Sequence, residues 1–501
     1  MSRRLLVLSD LHLGRDCNAI TGFSDATRPH REFDQAFVDL LARYTEGREG
    51  EWRLIFAGDF IDFVEVVVVP DEGGPNALFL SFEVSNEERK YGLGSEAERA
   101  VVKLERTMEY HRVFFEALAR FVRRGGELVL MRGNHDAEMY WTKVQRVFRR
   151  VLADHAFPRA TEDVDDYLRA RSEFQARVSF CPWCYVEPGR IYIEHGHQYD
   201  PYCAFDSQLV PTSPRNPHRI DMPLFMFAMR YFVNLMTDFG HHEVQKWSAR
   251  DYVTWIQRSG VGAFVYAGRM AVGAAGRALV HAARLAGDRG GVDASEHENR
   301  LAAEARRQGV EAEALAQVDA LRHTPIIRNL PELLRLLYMD RIILGLVAIL
   351  LSLFVILAIE SPGIQLAALV GVGFVSYRVN KAMEPRRFLL PAPKQVQAAE
   401  EIARIMKVPV VVMGHSHLRG VVDLGEGRSY VNTGCWLPPL PGQDHVDANA
   451  PCTCKLSHLV VEEQAELRIF CKVTCGVRTS DERMLASVRD VTEEHDVLVA
   501  H

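Results

Sequence analysis

The sequence predicts an α/β fold interrupted by a long helical insert. Three observations predict it. Five short apolar runs read as buried strands, and each ends in Asp, Asn or His. These runs alternate with stretches of helical periodicity, as in a layered α/β protein. Between about 210 and 394 the character changes to Met-, Phe-, Ala- and Gly-rich helical sequence. The expected organisation is therefore a first part over 1–210, an insert over 211–393 holding an apolar hairpin at 342–377, a second part over 394–480, and a tail over 481–501.

Composition sets outer limits. At 501 residues the chain is too long for one simple core. Its 48% hydrophobic and 25% charged residues are those of an ordinary globular protein. A net charge of −7 gives no global support to nucleic-acid binding, which wants a basic face. Nine cysteines, with no secretory apolar region after Met1-Ser2-Arg3-Arg4, suggest a reducing, cytoplasmic setting.

The strands come in order. Leu5-Leu6-Val7-Leu8-Ser9 runs into Asp10-Leu11-His12, and Arg53-Leu54-Ile55-Phe56-Ala57 into Gly58-Asp59-Phe60-Ile61-Asp62. Glu127-Leu128-Val129-Leu130-Met131 leads to Gly133-Asn134-His135-Asp136. Arg190-Ile191-Tyr192-Ile193-Glu194 leads to His195-Gly196-His197, and Val408 to Met413 leads to Gly414-His415-Ser416-His417. Polar residues just past strand C-termini lie where α/β sheets bind ligands. Five such ends point to one shared site, and a mixed Asp/His/Asn set without thiolate suits Mn, with Fe or Zn as alternatives.

Helices fill the intervals. Residues 30–44 place Phe33, Phe37, Leu40 and Leu41 on one face, while 64–94, with Gly73-Gly74-Pro75, read as a long loop. Ser95-Glu96-Ala97-Glu98 reads as a capping box opening a helix to about Arg124, stopped by Gly125. Residues 138–177 read as a charged helical excursion, and 292–322 as a solvated, alanine-rich helix. Leu224 to Phe239 reads either as an interfacial amphipathic helix or as core packing.

Ile342 to Ile359 is a charge-free run about 27 Å long as a helix, close to the thickness of a bilayer's hydrocarbon. A second run, Ile364 to Tyr377, follows Glu360-Ser361-Pro362-Gly363. Arg335 and Arg341 precede the pair, and Arg378, Lys381, Arg386 and Arg387 follow it, so both ends would lie on the cytoplasmic side of a membrane. A helical hairpin buried in protein is the alternative. Cysteines leave a second choice: Cys181 and Cys184 with Cys452 and Cys454, or with Cys471 and Cys475, form a structural zinc site or stay as free buried thiols.

Taken together, the five strand ends resemble the calcineurin-like metallophosphoesterases, whose pattern runs D-x-H, G-D-x-x-D, G-N-H-D, a later H-G element and G-H-x-H. The resemblance covers about 1–210 and 394–475. It implies a four-layered αββα sandwich and a site for two divalent ions. The first ion would be held by Asp10, His12, Asp59 and His417; the second by Asp59, Asn134, His195 and His415. His135 would serve the leaving oxygen, with Asp136 orienting its imidazole. Asp62 would steady the loop or a ligand imidazole, and His197 and Arg419 are candidates for substrate contact. A branch that hydrolyses the pyrophosphate bond of UDP-2,3-diacylglucosamine is similar in its D-L-H-L and H-G elements, though it usually has arginine where this chain has His135.

The expectation is thus a metal-dependent hydrolase of phosphate esters or pyrophosphate bonds, acting on a lipid or nucleotide-linked lipid at the cytoplasmic membrane face. Its partners would be that phosphorylated substrate and the membrane, with self-association left open. The alternatives are a soluble nucleotide phosphodiesterase or nuclease, and a membrane-anchored binding protein without catalysis.

Overall fold

Runs of Leu, Val and Ile that are apolar at every position cannot face water on either side, so they become central strands covered on both faces. The chain is described as a computed structural model over residues 3–14, 17–18, 30–68, 80–158, 164–236, 249–286, 294–337, 339–383, 391–436, 456–462 and 465–470. Its first half holds β1 (Arg4–Leu8), α1 (His30–Thr45), β2 (Trp52–Ala57), α2 (Asn86–Tyr91), α3 (Ala97–Tyr110), α4 (Arg112–Arg123), β3 (Glu127–Met131), α5 (Thr142–Ala156), α6 (Val164–Ala176), β4 (Val178–Cys181), β5 (Cys184–Glu187) and β6 (Ile191–Glu194). The middle holds β7 (Thr212–Ser213), β8 (Asn216–Ile220), α7 (Leu224–Tyr231), α8 (Ala249–Ala286), α9 (Ala294–Gln308), α10 (Ala312–Asp319), α11 (Leu330–Leu336), α12 (Met339–Ala358) and α13 (Pro362–Met383). The last part holds α14 (Pro391–Met406), β9 (Val410–Met413), β10 (Gly420–Gly425), β11 (Arg428–Asn432), β12 (Leu456–Val461) and β13 (Ala465–Phe470).

Two mixed sheets result. One has the order β13-β12-β1-β2-β3-β4, the other β10-β11-β9-β6-β5. In the first, β1 to β4 run parallel and β12 pairs antiparallel with β1. In the second, β9 lies parallel to both β6 and β11. Leu5, Val7, Ile55, Ala57 and Val129 from the first sheet pack against Ile191, Ile193, Val412 and Val431 from the second, so the sheets bury one face against each other. The outer face of the first sheet is covered by α1, α3, α4 and α5 through Phe37, Leu104, Phe114, Phe115 and Phe148. The run Cys181-Pro182-Trp183-Cys184 is the corner where the chain leaves the edge of one sheet and enters the edge of the other.

Several expectations change. The segment 292–322 does not form one solvated helix: α9 and α10 break at Gly309, and Leu301, Ala305, Leu315 and Val318 are buried against the outer face of the second sheet beside α14. Alanines supply much of that contact face, which made it look merely helix-prone. The single helix expected to Arg124 is two, α3 and α4, separated by His111, whose ring bonds Asp34 at 2.9 Å. Ser95 caps nothing; its hydroxyl accepts the Ile220 N–H instead. The capping box belongs to Ser85 and Glu88, opening α2 inside the stretch expected to be loop. Of Leu224 to Phe239, the described part is core: Leu224, Phe227 and Tyr231 of α7 pack with Ala274, Ala278 and Ala282 of α8.

Two helices, α12 and α13, are long and apolar enough by length and composition to cross a membrane. They pack on one another, yet their outward side chains are uncovered, with Phe354 at 67% exposure and Leu357 at 77%. Burial of this hairpin within the chain's own fold is thereby overturned. Cys452, Cys454, Cys471, Cys475, the Gly73-Gly74-Pro75 loop and the tail 481–501 lie outside the described residues.

Candidate metal centre

Five strand ends converge because the two sheets face each other and the C-termini of β1, β2, β3, β6 and β9 open on the same rim. Asp10 and His12 follow β1, Asp59 follows β2, Asn134 and His135 follow β3, His195 follows β6, and His415 and His417 follow β9. Close approach is secured by glycines. A Cβ on Gly133 would lie 2.2 Å from Asp59 Oδ1, and one on Gly414 2.3 Å from Asp10 Oδ2.

The side chains meet in two neighbouring groups. In the first, His417 Nε2 lies 3.1 Å from Asp10 Oδ1, and His12 Nε2 lies 3.3 Å from His417 Nε2 and 3.8 Å from Asp59 Oδ2. In the second, His195 Nε2 lies 3.1 Å from both Asp59 Oδ2 and Asn134 Oδ1. Asp10, His12 and His417 can converge on one ion, and Asp59, His195 and His415 on another. Asp59 reaches both.

What recommends these groups to a cation is which atoms are already taken. His12 Nδ1–H donates to Asp62 Oδ2 at 2.8 Å, and His195 Nδ1–H to the Ala57 carbonyl at 3.0 Å. Each imidazole then turns its Nε2 lone pair toward other lone pairs, an arrangement a cation between them relieves. The carboxylates suit this role. Burial opposes ionisation of Asp10, but the His417 and His195 imidazoles outweigh it and lower its pKa. For Asp59, burial is likewise outweighed, by His195, His135 and His12, and the shift is well below the usual range. His195 is raised to about 9: burial opposes, and Asp59 and Asp10 prevail. Asp10 and Asp59 therefore hold negative charge that a cation complements, and a cation there would take the place of the proton that they hold on His195. The donor set fits divalent metal ions, in oxygen and imidazole chemistry rather than thiolate.

Other expected residues fall into place around the two groups. Asp62 is an organiser: Oδ2 receives His12 Nδ1 and His135 Nδ1 at 2.8 and 2.9 Å, while Oδ1 accepts the N–H of Val64 and Glu65. His135 is raised to about 10, burial being overcome by Asp62 and Asp59. Asp136 does not orient His135. It accepts the Phe60 and Gly133 N–H groups at 2.9 and 2.5 Å, and burial with the nearby Asp59 charge pushes it up to about 7. A carboxylate three residues from Gly133 closes its own turn more readily than it reaches a neighbouring side chain.

His197 is buried behind His195, their ring centres 5.3 Å apart, and its Nδ1 has no hydrogen-bond partner among the described residues. Burial, then His195 and His415, hold it well below the usual range, so it stays neutral. Arg419 follows the His417 loop and lies against Gly434. Cys181 and Cys184 are buried, Cys181 Sγ lying 2.8 Å from the Cys184 carbonyl and 3.0 Å from Arg307 Nη2.

Two contributors had no motif to announce them. Asp200 Oδ2 lies 3.1 Å from His415 Nε2. Asn432 Nδ2 donates to the Gly414 carbonyl and Ser416 Oγ at 2.9 and 3.0 Å, bracing the loop that carries both histidines. A cavity of about 530 Å³ lies elsewhere, at the β4–β5 edge among Arg53, Glu127, Arg177 and Arg307, and none of the clustered residues lines it. No family model, curated protein or solved structure matches this chain.

Proposed function

We propose that the protein is a dinuclear metal-dependent hydrolase of phosphate esters or pyrophosphate bonds, of the calcineurin-like metallophosphoesterase type, with its paired sheets and covering helices as that family's αββα sandwich. The observation that carries this is the meeting of Asp10, His12, Asp59, Asn134, His195, His415 and His417 from five separate strand ends in two groups sharing Asp59. Two bound divalent ions, Mn above Fe or Zn, would supply Lewis acidity toward phosphoryl oxygens and lower the pKa of a water.

The chain's own residues do the rest. Asp59 fixes the spacing of the two groups. Asp62 holds the ring of His135 by Nδ1, leaving Nε2 for the oxygen of the departing group. Phe225 of α7 stands 5.1 Å from the His135 ring, so the leaving-group side of the site is apolar.

The lipid-linked substrate and the membrane face rest on α12 and α13. Their uncovered apolar surface, with Arg335 and Arg341 before it and Arg378 and Lys381 after it, suits a bilayer hairpin with both ends cytoplasmic. The test is a hydrolysis screen of lipid and nucleotide phosphates with Mn²⁺, using wild type and Asp59→Ala in parallel. Wild-type activity on a lipid phosphate and its loss in the variant are expected; equal turnover by both would remove the assignment. Retention in carbonate-washed membranes is expected as well, and release would return the reading to a soluble phosphodiesterase.

A further inference from the structure

We infer that Asp200 is a positioning residue for the second ion: its carboxylate accepts the His415 Nε2–H, fixing the tautomer and leaving the Nδ1 lone pair for the ion that His415 would hold with Asp59, Asn134 and His195. This rests on the dinuclear proposal above and adds a residue to it.

Asp200 is itself firmly held. It follows the single turn His197–Tyr199, entered through Gly196 at φ 95°, and its N–H bonds the His197 carbonyl at 3.1 Å. Oδ1 accepts the Tyr202 N–H at 2.9 Å, and the Cys203 thiol lies nearby. The turn is also strapped from outside. His323 N–H donates to the Gln198 carbonyl and Ile326 N–H to the Pro201 carbonyl, both at 2.8 Å, and Arg328 pairs with Asp206. Asp200 is only 7% exposed, so its orientation is set by protein contacts and does not wait for a ligand.

The same three residues, Asp200, Cys203 and His415, could instead converge on a third, softer ion. The bonding argues against it. The carboxylate already receives the His415 imidazole proton and the Tyr202 N–H, and a metal there would have to displace the first and take the proton from a buried thiol. A carboxylate behind a ligating imidazole raises its basicity and fixes its ring, and losing such a partner typically weakens metal binding about 10- to 100-fold.

The experiment is Mn²⁺ titration by calorimetry with electron paramagnetic resonance on the 501-residue chain in detergent, for wild type, Asp200→Ala, Asp200→Asn and Asp200→Glu. Wild type should bind two equivalents and show a spin-coupled pair. Asp200→Asn and Asp200→Ala should keep one equivalent with an isolated-Mn²⁺ signal, the second weakened about 10- to 100-fold, and Asp200→Glu should recover part of it. Urea midpoints accompany each variant; if Asp200→Ala does not fold, the near-isosteric Asp200→Asn decides. Two equivalents bound by Asp200→Asn within threefold of wild type, or both ions lost together at an unchanged midpoint, would overturn the positioning role. A wild type that binds fewer than two equivalents overturns the dinuclear proposal itself, which is a different result.

Discussion

Asp10, His12, Asp59, His415 and His417 all adopt positive φ, between 46° and 66°, and among the described residues only Lys407 and Glu426 join them outside glycine. Holding a side-chain-bearing residue there costs on the order of 1–2 kcal/mol each. The surrounding contacts over-determine these positions, as they do at sites where geometry matters more than stability. Gly414→Ala should expose the constraint, since its Cβ would meet Asp10 Oδ2 at 2.3 Å and Ser9 Oγ at 2.5 Å. We expect roughly 1–3 kcal/mol lost in urea unfolding and Mn²⁺ affinity down at least about tenfold, read by calorimetry. The clustering of these residues was legible because each ends an apolar run, a pattern that survives in one dimension. Asp200 was not, because Tyr199-Asp200-Pro201 is an ordinary turn sequence and its partner lies 215 positions away. Asp136 misled for the opposite reason: adjacency to His135 counted for more than the turn it closes.

Away from the ligands, burial raises Glu138 to about 7, the nearby Lys103 ammonium only partly offsetting it. Between its ordinary 4.5 and about 7 the folded protein binds the extra proton, so this group's contribution to stability falls as pH rises across that window. Glu138→Gln in metal-free protein should therefore gain on wild type from pH 4.5 to 7 in urea midpoints, and a constant difference would refute the assignment.

At the level of the element, α10 decides whether the middle of the chain is an appendage or part of the body. Leu315 is fully buried between α9, α14 and the second sheet. Leu315→Ala should cost about 2–5 kcal/mol in chemical denaturation, whereas a solvated helix would lose well under 1 kcal/mol. Ser85→Ala should cost about 1 kcal/mol by removing the cap of α2. Strands and long amphipathic helices could be seen in the sequence. The covering role of α9 could not, because small residues such as Ala305 give weak periodic contrast and their partner strands come from both ends of the chain.

For the whole molecule, the hairpin and the two-sheet body should separate at α11 and α14. Replacing 339–383 with a flexible linker is expected to give a detergent-free protein that still binds Mn²⁺. Removing 294–320 should instead strip the second sheet of cover and abolish cooperative unfolding. Circular dichroism melts and sedimentation distinguish these outcomes.

The clustered residues are also spread along the chain, with Asp10 and His415 separated by 405 positions and the apolar hairpin lying between them. Synthesis runs from the N-terminus, so the hairpin is made before either histidine of the last loop. An unfinished polypeptide therefore lacks the residues that complete both side-chain groups, and any cation they hold has to arrive after the greasy segment has been made.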